Sequence, residues 1–256
     1  MDPVFATAFF CLGALIASFV GVVVARLNTG EGILTGRSRC DACATPLSPF
    51  ALVPILSFIG ARGRAQCCGA VISRWSPLTE LLLGGIFVQA YAAIGLSLAL
   101  GGMLLALALL LALVLYDLMH QILPALLLIA FVVVSALEGF LLAPSPTMFF
   151  STLLVALGIG GSLALVHYLS RGRAMGFADA PFAFGLALLA GPAAFAGFIF
   201  SFWIGAVIGI VVLLGRPAGS RMGVEVPFAP FLAAGFLLAY FTQWDPFIFA
   251  TIILGQ

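Results

Sequence analysis

Two carboxylates and four thiols are the side chains of this sequence whose types and spacing could do chemistry. Asp117 lies in Leu115-Tyr116-Asp117-Leu118-Met119-His120-Gln121-Ile122-Leu123-Pro124, and Asp179 in Met175-Gly176-Phe177-Ala178-Asp179-Ala180-Pro181. Two carboxylates brought close cannot both ionise easily, so one keeps a proton. The ionised member can activate water as a general base. The protonated member can polarise a peptide carbonyl and later protonate the leaving amine. Hydrolysis of a peptide bond by paired aspartates needs that division of labour. The other reading is two interfacial acids capping helix starts, and Asp179, two residues before Pro181, suits a helix N-terminus.

The thiols read Cys40-Asp41-Ala42-Cys43 and then Cys67-Cys68-Gly69. A CxxC knuckle followed by a second thiol pair resembles a zinc module. Unrelated thiols are the other reading, and a reducing cytoplasm disfavours a disulfide. Adjacent cysteines point apart in most backbone conformations, so the spacing predicts fewer than four regular zinc thiolates. Cys11 sits in an apolar run and reads as a small packing residue. His120, three residues after Asp117, reads as a headgroup-level residue or a partner of the acid. His167 reads as filling a polar gap between helices. Glu80 and Glu138 are costly if they face lipid. Glu80 is expected to pair with a loop arginine.

The elements that must position these groups follow from composition. Of 256 residues, 64% are hydrophobic and only 7% are charged, against about 25% charged in an ordinary soluble domain. Mean hydropathy is +1.28. This excludes a soluble globular protein, a disordered chain and a nucleic-acid binder. Apolar runs recur near 4–24, 78–97, 99–116, 122–142, 148–169, 182–195, 197–214 and 228–253, with breaks at Gly101-Gly102, Pro124, Pro144/Pro146, Pro181, Gly191-Pro192 and Pro217. All but 182–195 approach the ~20 residues that cross a bilayer as a helix. A barrel would show ~10-residue alternating segments instead. The predicted fold is all-α: a polytopic membrane protein with about eight transmembrane helices. The first, 1–24, lacks a basic leader region and is expected to be retained. Residues 25–76 form the one sizeable polar loop module, too short to bury a large core unaided. Residues 77–256 carry the remaining spans.

All ten cations are arginines. Arg26, Arg37, Arg39, Arg62, Arg64 and Arg74 follow the first span, Arg171 and Arg173 the fifth, Arg216 and Arg221 the seventh. With eight spans and an outside N-terminus, all ten fall on one face, which the positive-inside tendency names cytoplasmic. In that topology Asp117 ends the third span and Asp179 precedes the sixth. Both then sit at the cytoplasmic edge of the bilayer.

At these residues the chain resembles the type 4 prepilin peptidases, bacterial inner-membrane aspartyl proteases. The resemblance rests on Ser18-Phe19 through Arg26-Leu27, the Cys40–Cys43 knuckle, Pro54-Ile55-Leu56-Ser57-Phe58, Arg62-Gly63-Arg64 and Ser73 through Glu80. It continues with Asp117 followed by Leu123-Pro124, with Gly176-Phe177-Ala178-Asp179, and with Val226-Pro227-Phe228-Ala229-Pro230-Phe231-Leu232. The sequence departs from the family pattern at several points. Ala65 stands where the second CxxC has its first cysteine, Cys68 aligns with the second, and Cys67 is extra. Ala178 replaces a glycine, Pro181 a lysine, and Gly21 a common asparagine.

The resemblance implies that Asp117 and Asp179 are catalytic, with 77–256 as the peptidase domain. It implies zinc on Cys40, Cys43, Cys67 and Cys68, and a cytoplasmic 25–76 loop. It implies cleavage of the basic leader of type 4 prepilins or pseudopilins, serving pili or type II secretion. Methylation of the new N-terminus with S-adenosylmethionine is implied as well, although the sequence has no glycine-rich nucleotide loop. The precursor's apolar helix is expected to enter the bilayer beside the spans, its basic leader meeting Glu31, Asp41, Glu80 or lipid headgroups. The alternative is an ion- or proton-coupled transporter using intramembrane carboxylates, which would favour acids near the midplane.

Overall fold

The computed structural model describes residues 2–29, 32, 38–40, 42–215 and 226–246. Its helices are α1 (Pro3–Arg26), α2 (Leu56–Gly60), α3 (Trp75–Ile94), α4 (Leu98–His120), α5 (Ala125–Leu142), α6 (Pro146–Leu169), α7 (Asp179–Ala190), α8 (Ala194–Leu214) and α9 (Ala229–Thr242). The fold of the described residues is all-helical, and the apolar runs fall in its helices. α1, α3, α4, α5, α6 and the run Asp179–Leu214 are long and apolar enough to cross a membrane. The chain is therefore a multi-pass membrane protein. α7 and α9, with 12 and 14 residues, are shorter.

Some boundaries differ from expectation for local reasons. The sixth run begins at Asp179 and stops at Ala190, because Gly191 takes a φ of +59° and opens the short 3-10 turn Gly191–Ala193 before α8. The last helix ends at Thr242, where Gln243 adopts a left-handed conformation. The remainder of the expected 228–253 span beyond 246 lies outside the described residues, as do Glu31, Arg37, Asp41, Arg216 and Arg221.

The chain forms two compact units, Met1–Leu100 and Gly101–Gln256. In the first, Asp2 caps α1 by accepting the Val4 N–H at 2.9 Å, with Pro3 preset for the first turn. α1 and α3 run antiparallel: Phe9 stacks on Tyr91 at 5.0 Å, while Gly13 lies against Gly84. A Cβ on Gly13 would come within 2.8 Å of Gly84 Cα, so only glycine permits this approach. That packing joins α3 to α1.

In the second unit α7 is the central element. It is packed by α5, α6, α8 and α9, and ten of its twelve residues are buried. Such a helix is apolar all round because no face meets lipid or water. Its neighbours approach through glycines. A Cβ on Gly139 of α5 would meet the Leu188 carbonyl oxygen at 2.6 Å, and one on Gly185 the Phe131 ring at 2.9 Å. Glu138 does not face lipid: it is 1% exposed, with its carboxylate lodged against Gly102 of α4.

Candidate active site and thiol cluster

Asp117 lies on the last turn of α4. The helix stops three residues later because Gln121 takes a φ of +55°, its N–H still bonded to the Asp117 carbonyl at 2.8 Å. The chain then leaves through Leu123-Pro124, which cannot continue the helix. Asp179 is the first residue of α7 and is delivered by a turn in which its N–H reaches the Gly176 carbonyl at 3.4 Å. Position 176 lies beside the Asp179 carboxylate: a Cβ there would sit 3.7 Å from Oδ2. Both acids are buried, Asp117 at 6% and Asp179 at 9% exposure. The second unit brings them near enough for the charge of Asp117 to act on Asp179.

Two supports of this pair were not legible from side-chain types. The Ala229 N–H, at the N-terminus of α9, donates to Asp117 Oδ2 at 3.3 Å. The partial positive charge of a helix start favours an anion there. The signal in the sequence was the Val226–Leu232 motif, whose contribution is a backbone donor. The second support is His167. Its Nδ1 lies 2.9 Å from the Met175 carbonyl oxygen, and its ring packs on Phe177 at 5.6 Å. It thereby ties the end of α6 to the turn that carries Asp179. His120 is exposed and packs on Tyr116, the ring centroids 4.4 Å apart.

Glu80 does not take an arginine among the described residues. Its buried carboxylate accepts the Ile55 N–H at 2.7 Å and the Ser76 hydroxyl at 3.3 Å. Ile55 has a φ of +61°, a costly conformation for a β-branched residue. The carboxylate therefore holds the Pro49–Gly60 segment to the start of α3.

The four thiols converge, contrary to the expected divergence of Cys67 and Cys68. All four Sγ atoms lie within 4.8 Å of one another. Cys43 and Cys67 are 3.3 Å apart, Cys40 and Cys68 3.8 Å, and Cys67 and Cys68 3.9 Å. A tetrahedral zinc with Zn–S bonds of about 2.3 Å has S···S edges of about 3.8 Å, so the spacing suits one ion. The chemistry of the donors agrees. The Thr45 hydroxyl beside Cys43, then the Thr45 backbone and the Cys67 thiol, hold the Cys43 thiol down at about 6. Cys67, hydrogen-bonded first to Cys43, is pushed up to about 12. One thiolate forms readily and its neighbours resist further negative charge; a bound cation removes that resistance. Four close cysteines here could hold a metal ion.

Residues 11–94 match the bacterial peptidase A24 N-terminal domain. Over 237 residues the chain is 33% identical to the prepilin leader peptidase/N-methyltransferase of Bacillus subtilis (strain 168), spanning 90% of this chain and 92% of that protein. It is 34% identical over 228 residues to the protein of the same name in Myxococcus xanthus, spanning 86% of this chain and 67% of that one. The Pseudomonas aeruginosa protein of that name is 27% identical, spanning 87% and 85%. No solved structure matches the chain. Likeness of this extent runs through the thiol loop and both aspartate turns, and the chain belongs to the prepilin leader peptidase/N-methyltransferase family.

Proposed function

We propose that this protein is a membrane aspartyl endopeptidase that removes the basic leader of type 4 prepilins or pseudopilins, with Asp117 and Asp179 as its catalytic residues. The observation that supports this most is the pair itself: two buried aspartates at two helix ends, one at the close of α4 and one at the start of α7. The pair works with one proton between its two carboxyls. The ionised carboxylate takes a proton from water as that water attacks the scissile carbonyl. The other carboxyl hydrogen-bonds to the carbonyl oxygen and then gives its proton to the leaving amine. The Ala229 N–H, fixed in the α9 backbone, steadies Asp117 when it is ionised. His167 acts by positioning the Asp179 turn.

The proposed setting is the bacterial inner membrane, with the 25–76 loop and both aspartates at the cytoplasmic face. The placement of the arginines supports it. There the precursor's leader stays in water while its apolar helix lies beside the spans, which fixes the depth of the scissile bond. Zinc is the proposed metal of the thiol cluster, held by Cys40, Cys43, Cys67 and Cys68. When bound, it supplies cross-linking free energy to a loop too small to hold itself by burial. The relatives carry peptidase names, which leaves the transporter reading without support.

The test incubates purified protein with a prepilin and S-adenosylmethionine and weighs the products. The expected product is the mature chain cut at the leader–helix junction. The relatives' names also carry N-methyltransferase, so a mature chain one methyl group heavier would extend the proposal to transfer from that donor. An intact precursor, with protein that is folded and metal-loaded, would overturn the peptidase reading.

A further inference from the structure

The thiol loop contains a backbone repeat that its residue types conceal. In the first turn, the Cys40 N–H bonds to the Thr45 carbonyl, the Ala44 N–H to the Cys40 carbonyl, and the Leu47 N–H to the Ser38 carbonyl, at 2.9, 2.8 and 2.8 Å. In the second turn, the Ala65 N–H bonds to the Ala70 carbonyl, the Gly69 N–H to the Ala65 carbonyl, and the Ile72 N–H to the Gly63 carbonyl, at 2.7, 2.7 and 2.9 Å. Adding 25 to every residue number of the first set gives the second. The isolated β-bridges obey the same offset: Arg39 pairs with Pro46, and Arg64 with Val71. So do the left-handed residues that close each turn, Ala44 at φ +55° and Gly69 at φ +71°. Two copies of one turn thus face each other.

Within this repeat Cys43 corresponds to Cys68, and both carry thiols. Cys40 corresponds to Ala65, which has none, while Cys67 corresponds to Ala42. A knuckle converges the side chains at its first and fourth positions. The second copy lacks a donor at the first position, yet its third-position thiol reaches the cluster, 3.3 Å from Cys43 Sγ and 3.9 Å from Cys68 Sγ. We propose that the fourth metal-binding thiolate of this protein has moved within the second turn from position 65 to position 67, and that a cysteine at either position completes the same site. This rests on the metal reading above.

The backbone makes the exchange workable. Ala65 both donates to and accepts from the bonds that close its turn, so a Cβ substituent there leaves the main chain as it is. Gly69 absorbs the left-handed turn that follows in either case. Cys67 adds nothing to those closing bonds, so it can be shortened to alanine without removing one.

The experiment uses the full chain, purified and stripped with a chelator, then titrated with zinc alone and with cobalt(II) alone. Cobalt reports its ligands directly through thiolate charge-transfer and ligand-field absorption, independent of peptidase activity. Wild-type protein is expected to take one ion per chain with the spectrum of four thiolates. Cys67→Ala should lose on the order of a hundredfold in affinity, about a quarter of the binding free energy of a four-ligand structural zinc site. The double variant Ala65→Cys/Cys67→Ala should regain the wild-type stoichiometry and four-thiolate spectrum. That recovery also shows that the single variant failed for want of a ligand and not from misfolding. If Cys67→Ala keeps the four-thiolate spectrum and affinity, Cys67 is not a ligand and the proposal falls. If the double variant stays as weak as the single one, the interchange of positions falls. Failure of wild-type protein to bind either ion would instead overturn the metal reading on which this rests.

Discussion

Asp117→Asn separates a catalytic aspartate from a structural one, and the structure sets the size of both effects. The substitution keeps the side-chain volume, so no cavity opens around a residue that is 6% exposed. The hydrogen bond it must preserve runs from the Ala229 N–H to Oδ2 at 3.3 Å, long for such a bond. An amide oxygen accepts it nearly as well, so the expected stability cost is below about 1 kcal/mol. For a chain of this size that is a shift of only about 2–4 °C in Tm. Catalysis responds differently, because asparagine can neither take the proton of the attacking water nor return one to the amine. A positioned acid or base contributes about 10²–10⁴-fold. Replacing one member removes both the base and the proton that the pair shares, so the upper part of that range is expected, about 4–5.5 kcal/mol in the barrier. The assay measures initial rates of leader release from a precursor in the same lipid, alongside thermal unfolding of both proteins. A rate within about tenfold of wild type removes Asp117 from the chemistry. A fall in rate matched by a large fall in Tm assigns it to the fold instead.

Gly139→Ala should lower Tm and slow cleavage together. Its Cβ would meet the Leu188 backbone at 2.6 Å, an overpacking of about 1–3 kcal/mol that displaces the helix carrying Asp179. Gly158→Ala, with nothing within 4 Å of its Cβ, should leave both unchanged or gain up to about 1 kcal/mol from helix propensity. Glu80→Ala strands the Ile55 N–H and the Ser76 hydroxyl; faster amide exchange across Pro49–Gly60 is expected, while Glu80→Gln, still an acceptor, should restore slow exchange. Metal retention should depend on pH with a fixed sign. Cys43 is held down at about 6, so its thiolate is present above that value and is lost as pH falls through it. Zinc content after dialysis should be full at neutral pH and fall as pH is lowered, because protons compete with the ion for every thiolate. Cys67, pushed up to about 12, must release its proton to solvent when the metal binds, so zinc uptake at neutral pH should acidify a weakly buffered sample. Retention that does not change with pH, or uptake without proton release, would contradict this.

Much of the architecture was written in short-range signals. The lengths of the apolar runs and the prolines and glycines between them were enough to read an all-helical, multi-pass fold with one polar loop. Those properties act within a few residues of themselves: burial in lipid demands a closed backbone hydrogen-bond pattern, and a helix alone supplies it segment by segment. The same is true of the break at Gly191-Pro192 and the exit from α4 at Pro124. What spacing could not express is where side chains point after two segments meet. Cys67 and Cys68 are neighbours whose sulfurs diverge in most conformations. They converge here within the 63–72 turn, which repeats the hydrogen bonds of 38–47 and is closed by a left-handed Gly69 that follows from no cysteine spacing. The Ala229 N–H reaches Asp117 across more than a hundred residues, through the packing of α9 beside α7, and a backbone donor leaves no mark in side-chain identity. Glu80 found a main-chain donor at a strained isoleucine where charge alone suggested an arginine. Glu138 is buried because Gly102 leaves room for its carboxylate. Each of these depends on the close approach of elements distant in sequence, a property of the packed chain and of none of its segments alone.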